Sequence, residues 1–478
     1  MNISQHLLAT MIIVPFLGFL FALISQTGEK STRHNVVAVA EFTVITNVIL
    51  LWRQLTQLDL NQKGLQFLSQ YQWTEIPPIN LAFGVDIFSL MIALAIHLIL
   101  LISLPFAKNT KHPKILVSLS LLMLSMLMGF LLSADIFSFY IFFTAILIPA
   151  FILIGTTGEI RKSRWVFRFF IYNFIGSIIL FVVICALYRY HGQEEAILLN
   201  SVAKFRLPRA YEYWIWGGIF IALLSRIPIW PFHYWIASIS GAVQNPIVFL
   251  LINLIPLTGV YGLIRFCPKA VPESVSYLLT GLEVIAAISM LFIAMIGLIN
   301  KDSRYKLFSF ITVYYIMFLL GALLPTNRLL LNIGYSIFAF LVIISVLEVL
   351  AAHIYYEQQK YDLNIYGILC HAPRLSLLYS FFTLAAVGFP LSALFINNFV
   401  ILSYLFSYNF NLGLLIIVSV IISSASLLKE LYVLKDNRYI QPGSVCIADM
   451  SRRSFLGLGF IALLLLVSFY NPLLVLGG

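Results

Sequence analysis

The sequence predicts an all-α, polytopic membrane protein with about 14 transmembrane helices. Three observations carry the fold class. The 478 residues are 61% hydrophobic and 15% aromatic. Only 10% are charged, against about 25% in a soluble domain. Apolar runs long enough to cross about 30 Å of hydrocarbon recur from one end of the chain to the other.

The first apolar run, 7–26, lacks a basic leader and a small-residue cleavage site, so it reads as a retained span. Runs at 35–53 and 85–106 complete an N-terminal group, assigned to 1–110. Asp86 stands at the start of the third, where a carboxylate suits the positive end of a helix. Spans follow at 114–132, 135–156, 165–188, 212–230 and 245–266, then at 275–298, 305–323 and 330–353. The run 376–408 is too long for one straight crossing and contains GFPLSA, a Gly-Pro break that hydrocarbon tolerates only where the freed backbone faces protein or a cavity. Runs at 411–432 and 453–474 close the series.

Charge supports this order. Nineteen Lys and Arg residues follow odd-numbered spans and nine follow even-numbered ones, with Arg226 left inside a span. By the positive-inside rule both termini lie on the non-cytoplasmic side, as expected for a multi-pass protein of a bacterial inner membrane. The net charge of +10 is therefore loop charge at a bilayer, and no basic patch interleaved with aromatics points to nucleic acid. Cys185, Cys267, Cys370 and Cys446 lie far apart, without metal-ligand or disulfide spacing. No G-x-G-x-x-G, Walker or H-E-x-x-H motif occurs, so the expected cofactor complement of the chain is none.

Several stretches resemble one family when taken in order: GVDIFSL (84–90), SADIFSFYIFF with LIPAFILIG (133–155), FRFFIYNFIGSIIL (167–180), SRIPIWPFHYWI (225–236), VYGLIRF (260–266), KDSRYKLFSFITV (301–313) and GFPLSALFINNFVIL (388–402). They are similar to the antiporter-like membrane subunits of respiratory complex I, nearest to subunit M of NADH-quinone oxidoreductase. Relatives of those subunits occur in Mrp-type antiporters, membrane-bound hydrogenases and inorganic-carbon transporters. The resemblance implies two inverted five-helix repeats, spans 4–8 and 9–13, in an antiporter-like core over 111–410, its last helix running on to about 432, followed by C-terminal helices in 411–478. It also implies a broken helix in each repeat, placed at IPLTG (255–259) and at GFPLSA. Proton movement in that family uses a glutamate in span five, a lysine in span seven, a lysine or histidine in span eight and a glutamate or lysine in span twelve.

Carried onto this sequence, those positions are Thr144, Arg226, Leu257 and Asn398. Tyr315 occupies one expected histidine place. Threonine, leucine and asparagine have no proton equilibrium near neutral pH, and arginine holds its proton throughout, so none can act as a relay base. The proton path of this chain is expected to be degenerate.

The remaining polar residues each have a structural reading beside a functional one. Arg226 either pairs with an acid or binds an anion, or else snorkels to an interface or caps a helix. Asp135 is the in-chain candidate for its counter-ion. Glu348, followed by His353, and Glu283 are read as interfacial rather than as proton or ion sites. His233 is expected to order the broken region near Pro228 and Pro231.

The expected function is that of a membrane subunit in a complex I-like assembly that translocates protons or ions, with other membrane subunits as partners. Any NADH or quinone chemistry would belong to those partners. Two alternatives stand beside it: a membrane partner of an inorganic-carbon transporter, and a structural spacer.

Overall fold

A computed structural model of the chain describes residues 3–25, 29–59, 62, 64–74, 79–110, 112–157, 163–191, 198–199, 208–233, 235, 243, 245–266, 276–324, 328–361, 367–436 and 449–470. Cys267 and Cys446 lie outside them, as do both chain ends. The chain begins with α1 (Ile3–Ile24) and α2 (Glu29–Gln57), then β1 (Gln66–Thr74) and β2 (Ile79–Val85), then α3 (Ile87–Ser103). Next come α4 (Pro113–Leu132), α5 (Ile136–Ala145), α6 (Leu147–Thr157), α7 (Ser163–His191), α8 (Arg209–Leu224) and α9 (Pro246–Phe266). The remaining helices are α10 (Ser276–Ile299), α11 (Ser303–Leu323), α12 (Arg328–Tyr361), α13 (Pro373–Val387), α14 (Ala393–Tyr408), α15 (Phe410–Lys435) and α16 (Arg452–Tyr470). Among the described residues, eleven helices are long and apolar enough to cross a membrane, and three shorter apolar helices accompany them.

The chain forms two compact units, one of Met1–Ser289 with Tyr315–Leu331, the other of Met290–Tyr314 with Asn332–Gly478. In the first, α1 packs along α4, and α9 is the core, buried from Ile247 to Phe266 except at Arg265. A helix apolar all round belongs in such a position. On α7 the large side chains of Phe167, Ile171, Ile175, Ile178 and Val182 stay exposed, a face suited to lipid. In the second unit α15 packs against α13 and α14.

Two spans are interrupted, each for a local reason. Pro149 lacks an N–H, and its ring crowds the carbonyl of Ala145, so the fifth apolar run divides into α5 and α6 at Ile146. In the run 376–408, Gly388 adopts φ +81°, and α13 closes with Gly388 N–H bonded to Ala385 O and Phe389 N–H to Leu384 O. That is a Schellman stop, which glycine adopts without strain. Leu391, at φ +79°, turns the chain into α14. The other expected break is not there: α9 runs unbroken through IPLTG with Pro256 inside it. Nearby carbonyls find additional donors, Tyr315 Oη to Asn253 O at 3.0 Å and Thr258 Oγ1 to Ile255 O at 2.7 Å, and the helix continues through its proline in fully buried surroundings.

The β1–β2 hairpin is antiparallel, with Gln70 opposite Ala82 and Gln72 opposite Asn80. It lies in a stretch whose alternating polar and aromatic residues carry a strand period, which a reading by apolar runs does not register. Asp135 ties it to the membrane helices. Its carboxylate caps α5 by accepting from the N–H groups of Phe137 and Ser138, both at 2.8 Å, and accepts from Ala82 N–H of β2 at 2.6 Å.

Asp86 is the N-cap of α3 and forms a capping box with Ser89. It also holds Arg265 of α9 in a two-pronged ion pair, at 2.5 and 2.7 Å, and Arg265 in turn donates to Tyr261 Oη at 2.6 Å. Burial opposes ionisation of Asp86, but the Arg265 charge and its hydrogen bonds outweigh it and hold the carboxyl below its usual range. Stability drawn from Asp86 is therefore complete above the ordinary carboxylate range and lost as pH falls through the lower folded value. Asp86→Asn should cost about 3 kcal/mol at neutral pH by leaving Arg265 unpaired. Thermal unfolding of the variant in detergent should show that loss, and the gap to wild type should close in acid; a gap unchanged down to strongly acid pH would contradict the assignment.

Candidate functional site around Arg226

After α8 ends at Leu224, the chain turns through 225–228, and this turn carries Arg226 into the interior of the first unit. Two glycines make room for it. A Cβ on Gly176 of α7 would meet Ser225 Oγ at 1.9 Å and the Ala222 carbonyl at 2.9 Å. One on Gly259 of α9 would meet the Leu223 carbonyl at 2.6 Å and Arg226 Cβ at 3.1 Å. The turn thus rests directly on the backbones of α7 and α9.

Arg226 is fully buried, with 0% exposure, so it neither snorkels nor reaches an interface. Its guanidinium lies over the Phe143 ring, 4.0 Å from the centroid. Nη2 donates to Phe143 O at 2.6 Å and to Ser177 Oγ at 3.3 Å. Nε and Nη1 have no hydrogen-bond partner, and among the described residues Arg226 makes no ion pair. Asp135 is not its counter-ion, because both carboxylate oxygens of Asp135 are engaged by α5, β2 and Ser138.

Thr144 follows Phe143 at the end of α5, so the sequence-derived positions 144 and 226 do come together in space. The Thr144 hydroxyl is shielded from solvent and makes no hydrogen bond, not even the expected one to its own helix. The site therefore holds a fixed positive charge, an aromatic face, two hydroxyls and no acid. Chemically it can orient water or an anion through the free guanidinium N–H groups, and it cannot pass a proton by titration of its own side chains.

The other positions lie apart from this cluster. Leu257 is a buried residue of α9, 2% exposed, and Tyr315 is fully buried with its hydroxyl on the α9 backbone. His233 is half-buried in the turn segment after α8, near Trp235, whose ring packs on Phe169 at 5.3 Å. Glu283 is buried on α10. In the second unit Asn398 of α14 is buried beside the Gly388 break, its Nδ2 3.6 Å from where a Cβ on Gly388 would stand, and its Oδ1 has no partner.

Glu348 departs from the interfacial reading. It is 1% exposed, and α12 continues beyond it to Tyr361, so the helix does not end where hydropathy fades. A cavity of about 170 Å³ brings it together with Glu430 of α15, Tyr379 of α13 and Arg304 of α11. Glu430 escaped the sequence reading because Lys429 beside it marked the stretch as a span end. Its signal was a glutamate inside the run 411–432. Ser177 and Arg265 were missed as well. A serine in an apolar helix carries no signal of its own, whereas Arg265, a charge inside VYGLIRF, did.

Comparison with known proteins agrees with this architecture. The family described as NADH:quinone oxidoreductase/Mrp antiporter, TM, matches residues 133–423. NADH-quinone oxidoreductase subunit M of Rhodobacter capsulatus is 24% identical over 491 residues, covering 98% of this chain and 94% of that protein. Among solved structures, a chain of respiratory complex I from Thermus thermophilus with bound NADH superposes with a TM-score of 0.83 at 22% identity, covering 97% of this chain and 95% of that one. A chain of the membrane-bound sulfane sulfur reductase, an archaeal respiratory membrane complex, gives 0.83 at 16% identity over 98% and 95%. With the family match extending from the cap of α5 into α15, the chain belongs to the NADH:quinone oxidoreductase/Mrp antiporter transmembrane family.

Proposed function

We propose that the chain is a membrane subunit of a complex I-like assembly that translocates protons or ions, and that its own proton path is degenerate. What supports the second half is Arg226 bonded to the carbonyl of Phe143, next in the chain to Thr144, where the resemblance places the relay acid. The relay acid has no counterpart there, and the cation beside it, donating to a main-chain carbonyl and a serine, cannot give up its proton. Its partners are other membrane subunits, and quinone reaches it only through them. It is a multi-pass protein of a bacterial inner membrane with both termini on the non-cytoplasmic side. Its organisation is an N-terminal group in 1–110, an antiporter-like core over 111–410 whose last helix continues to about 432, and C-terminal helices in 411–478.

The relatives are respiratory complex I subunits, so the inorganic-carbon alternative is not favoured. A spacer with no part in transport differs from the proposed subunit in one respect: its removal would leave proton movement by the remaining assembly intact.

Two measurements test the reading. In vesicles carrying the intact assembly, Thr144→Ala and Asn398→Ala should each leave proton pumping unchanged; loss of pumping in either would show that a path still runs through it. The double change Thr144→Glu with Arg226→Lys places an acid beside a base in the same pocket, and should stay within about 1 kcal/mol of wild type because each new charge satisfies the other. A much larger drop in melting temperature would mean that positions 144 and 226 do not face one another.

A further inference from the structure

The cavity in the second unit is open to another use. It is lined by Lys301, Asp302 and Arg304 at the start of α11, Glu348 of α12, Tyr379 of α13 and Glu430 of α15. A volume of about 170 Å³ holds several waters at about 30 Å³ each. Its two buried carboxylates have unequal surroundings. Glu430 has Lys306 as a charged neighbour and the hydroxyls of Ser303 and Tyr379 as hydrogen-bond partners. Glu348 has none of these: both of its oxygens are buried and accept no hydrogen bond from the protein. Arg304 and Glu430 are the charged side chains that line the cavity beside it. Arg304 is itself occupied in part by the Tyr355 ring, 4.7 Å from its centroid. His353 lies further along α12, its Nε2 buried and without a partner.

A carboxylate buried without a donor is costly, whereas a carboxylic acid in the same place brings one O–H and no net charge. Two carboxyl groups facing one wet cavity favour holding a single proton between them over ionising together. We propose that Glu348 is a proton-exchange site, reached by water through this cavity, with Glu430 as the second carboxyl group that faces it. Loading takes a proton from a hydronium ion in the cavity, so that one O–H bond forms on Glu348, one breaks on the hydronium, and water and a neutral acid remain; release is the reverse. The site shares no residue with positions 144, 226, 257 and 398. It goes beyond the degenerate path proposed above, and it stands whether or not that proposal holds.

Infrared pH-difference spectroscopy on the full-length chain, purified with its partners and labelled with ¹³C-glutamate, tests it directly. Wild type should show a protonated-carboxyl band that shifts with the label and in D₂O and appears and disappears across a pH titration. Glu348→Gln should abolish that band, and Glu430→Gln should retain it. Absence of such a band in wild type would overturn the proposal, as would its survival in Glu348→Gln. A band that responds to sodium concentration at fixed pH would also overturn it, by making the cavity a metal-cation site. The wild-type measurement decides even if a variant fails to fold.

Discussion

A main-chain carbonyl inside a membrane has no water to turn to, and this structure is arranged around that constraint. At three points among the described residues where the helical ladder is disturbed, a donor serves a nearby carbonyl. At the α5–α6 break, the carbonyl of Phe143 is taken by the Arg226 guanidinium. Around Pro256, hydroxyls of Tyr315 and Thr258 serve the α9 backbone. At Gly388 the helix closes on itself through its own amides. Arg226 is thus first a structural donor. Its placement serves an opened helix, and among the described residues no acid pairs with it.

A lysine at position 226 could give up its proton when desolvated, whereas arginine stays charged and presents a planar set of donors. Arg226 is therefore a permanent clamp on the Phe143 carbonyl. The second unit shows the opposite arrangement. There, acids and bases line one cavity, and both oxygens of Glu348 and one of Glu430 go without a hydrogen bond.

Much of the architecture was legible because hydrocarbon imposes length and composition at every span. GFPLSA announced its break by residue type alone, since glycine and proline act locally. IPLTG carried nearly the same letters and did not break, because the outcome there depends on donors arriving from α11 and from Thr258, which no local pattern encodes. The adjacency of positions 144 and 226 was legible only through resemblance. Asp135 was misassigned because its sequence position near Thr144 says nothing about its commitment to β2. Glu348 was placed at an interface by the polar residues that follow it, although α12 continues for several turns past that point. Hydropathy reads where a helix could leave the bilayer, not where its neighbours keep it covered.

The way Arg226 is satisfied has a consequence for how the protein is made. A lone arginine at the end of a short apolar helix is a poor candidate for insertion, costing roughly 2.5–3.5 kcal/mol at mid-bilayer. Both groups that receive its hydrogen bonds, Phe143 and Ser177, lie earlier in the chain. Because synthesis runs from the N-terminus, α5 and α7 are already in the membrane when Arg226 emerges. The charge meets acceptors made before it, while α9, on which the turn also rests, follows, and the direction of translation becomes part of what makes the fold attainable.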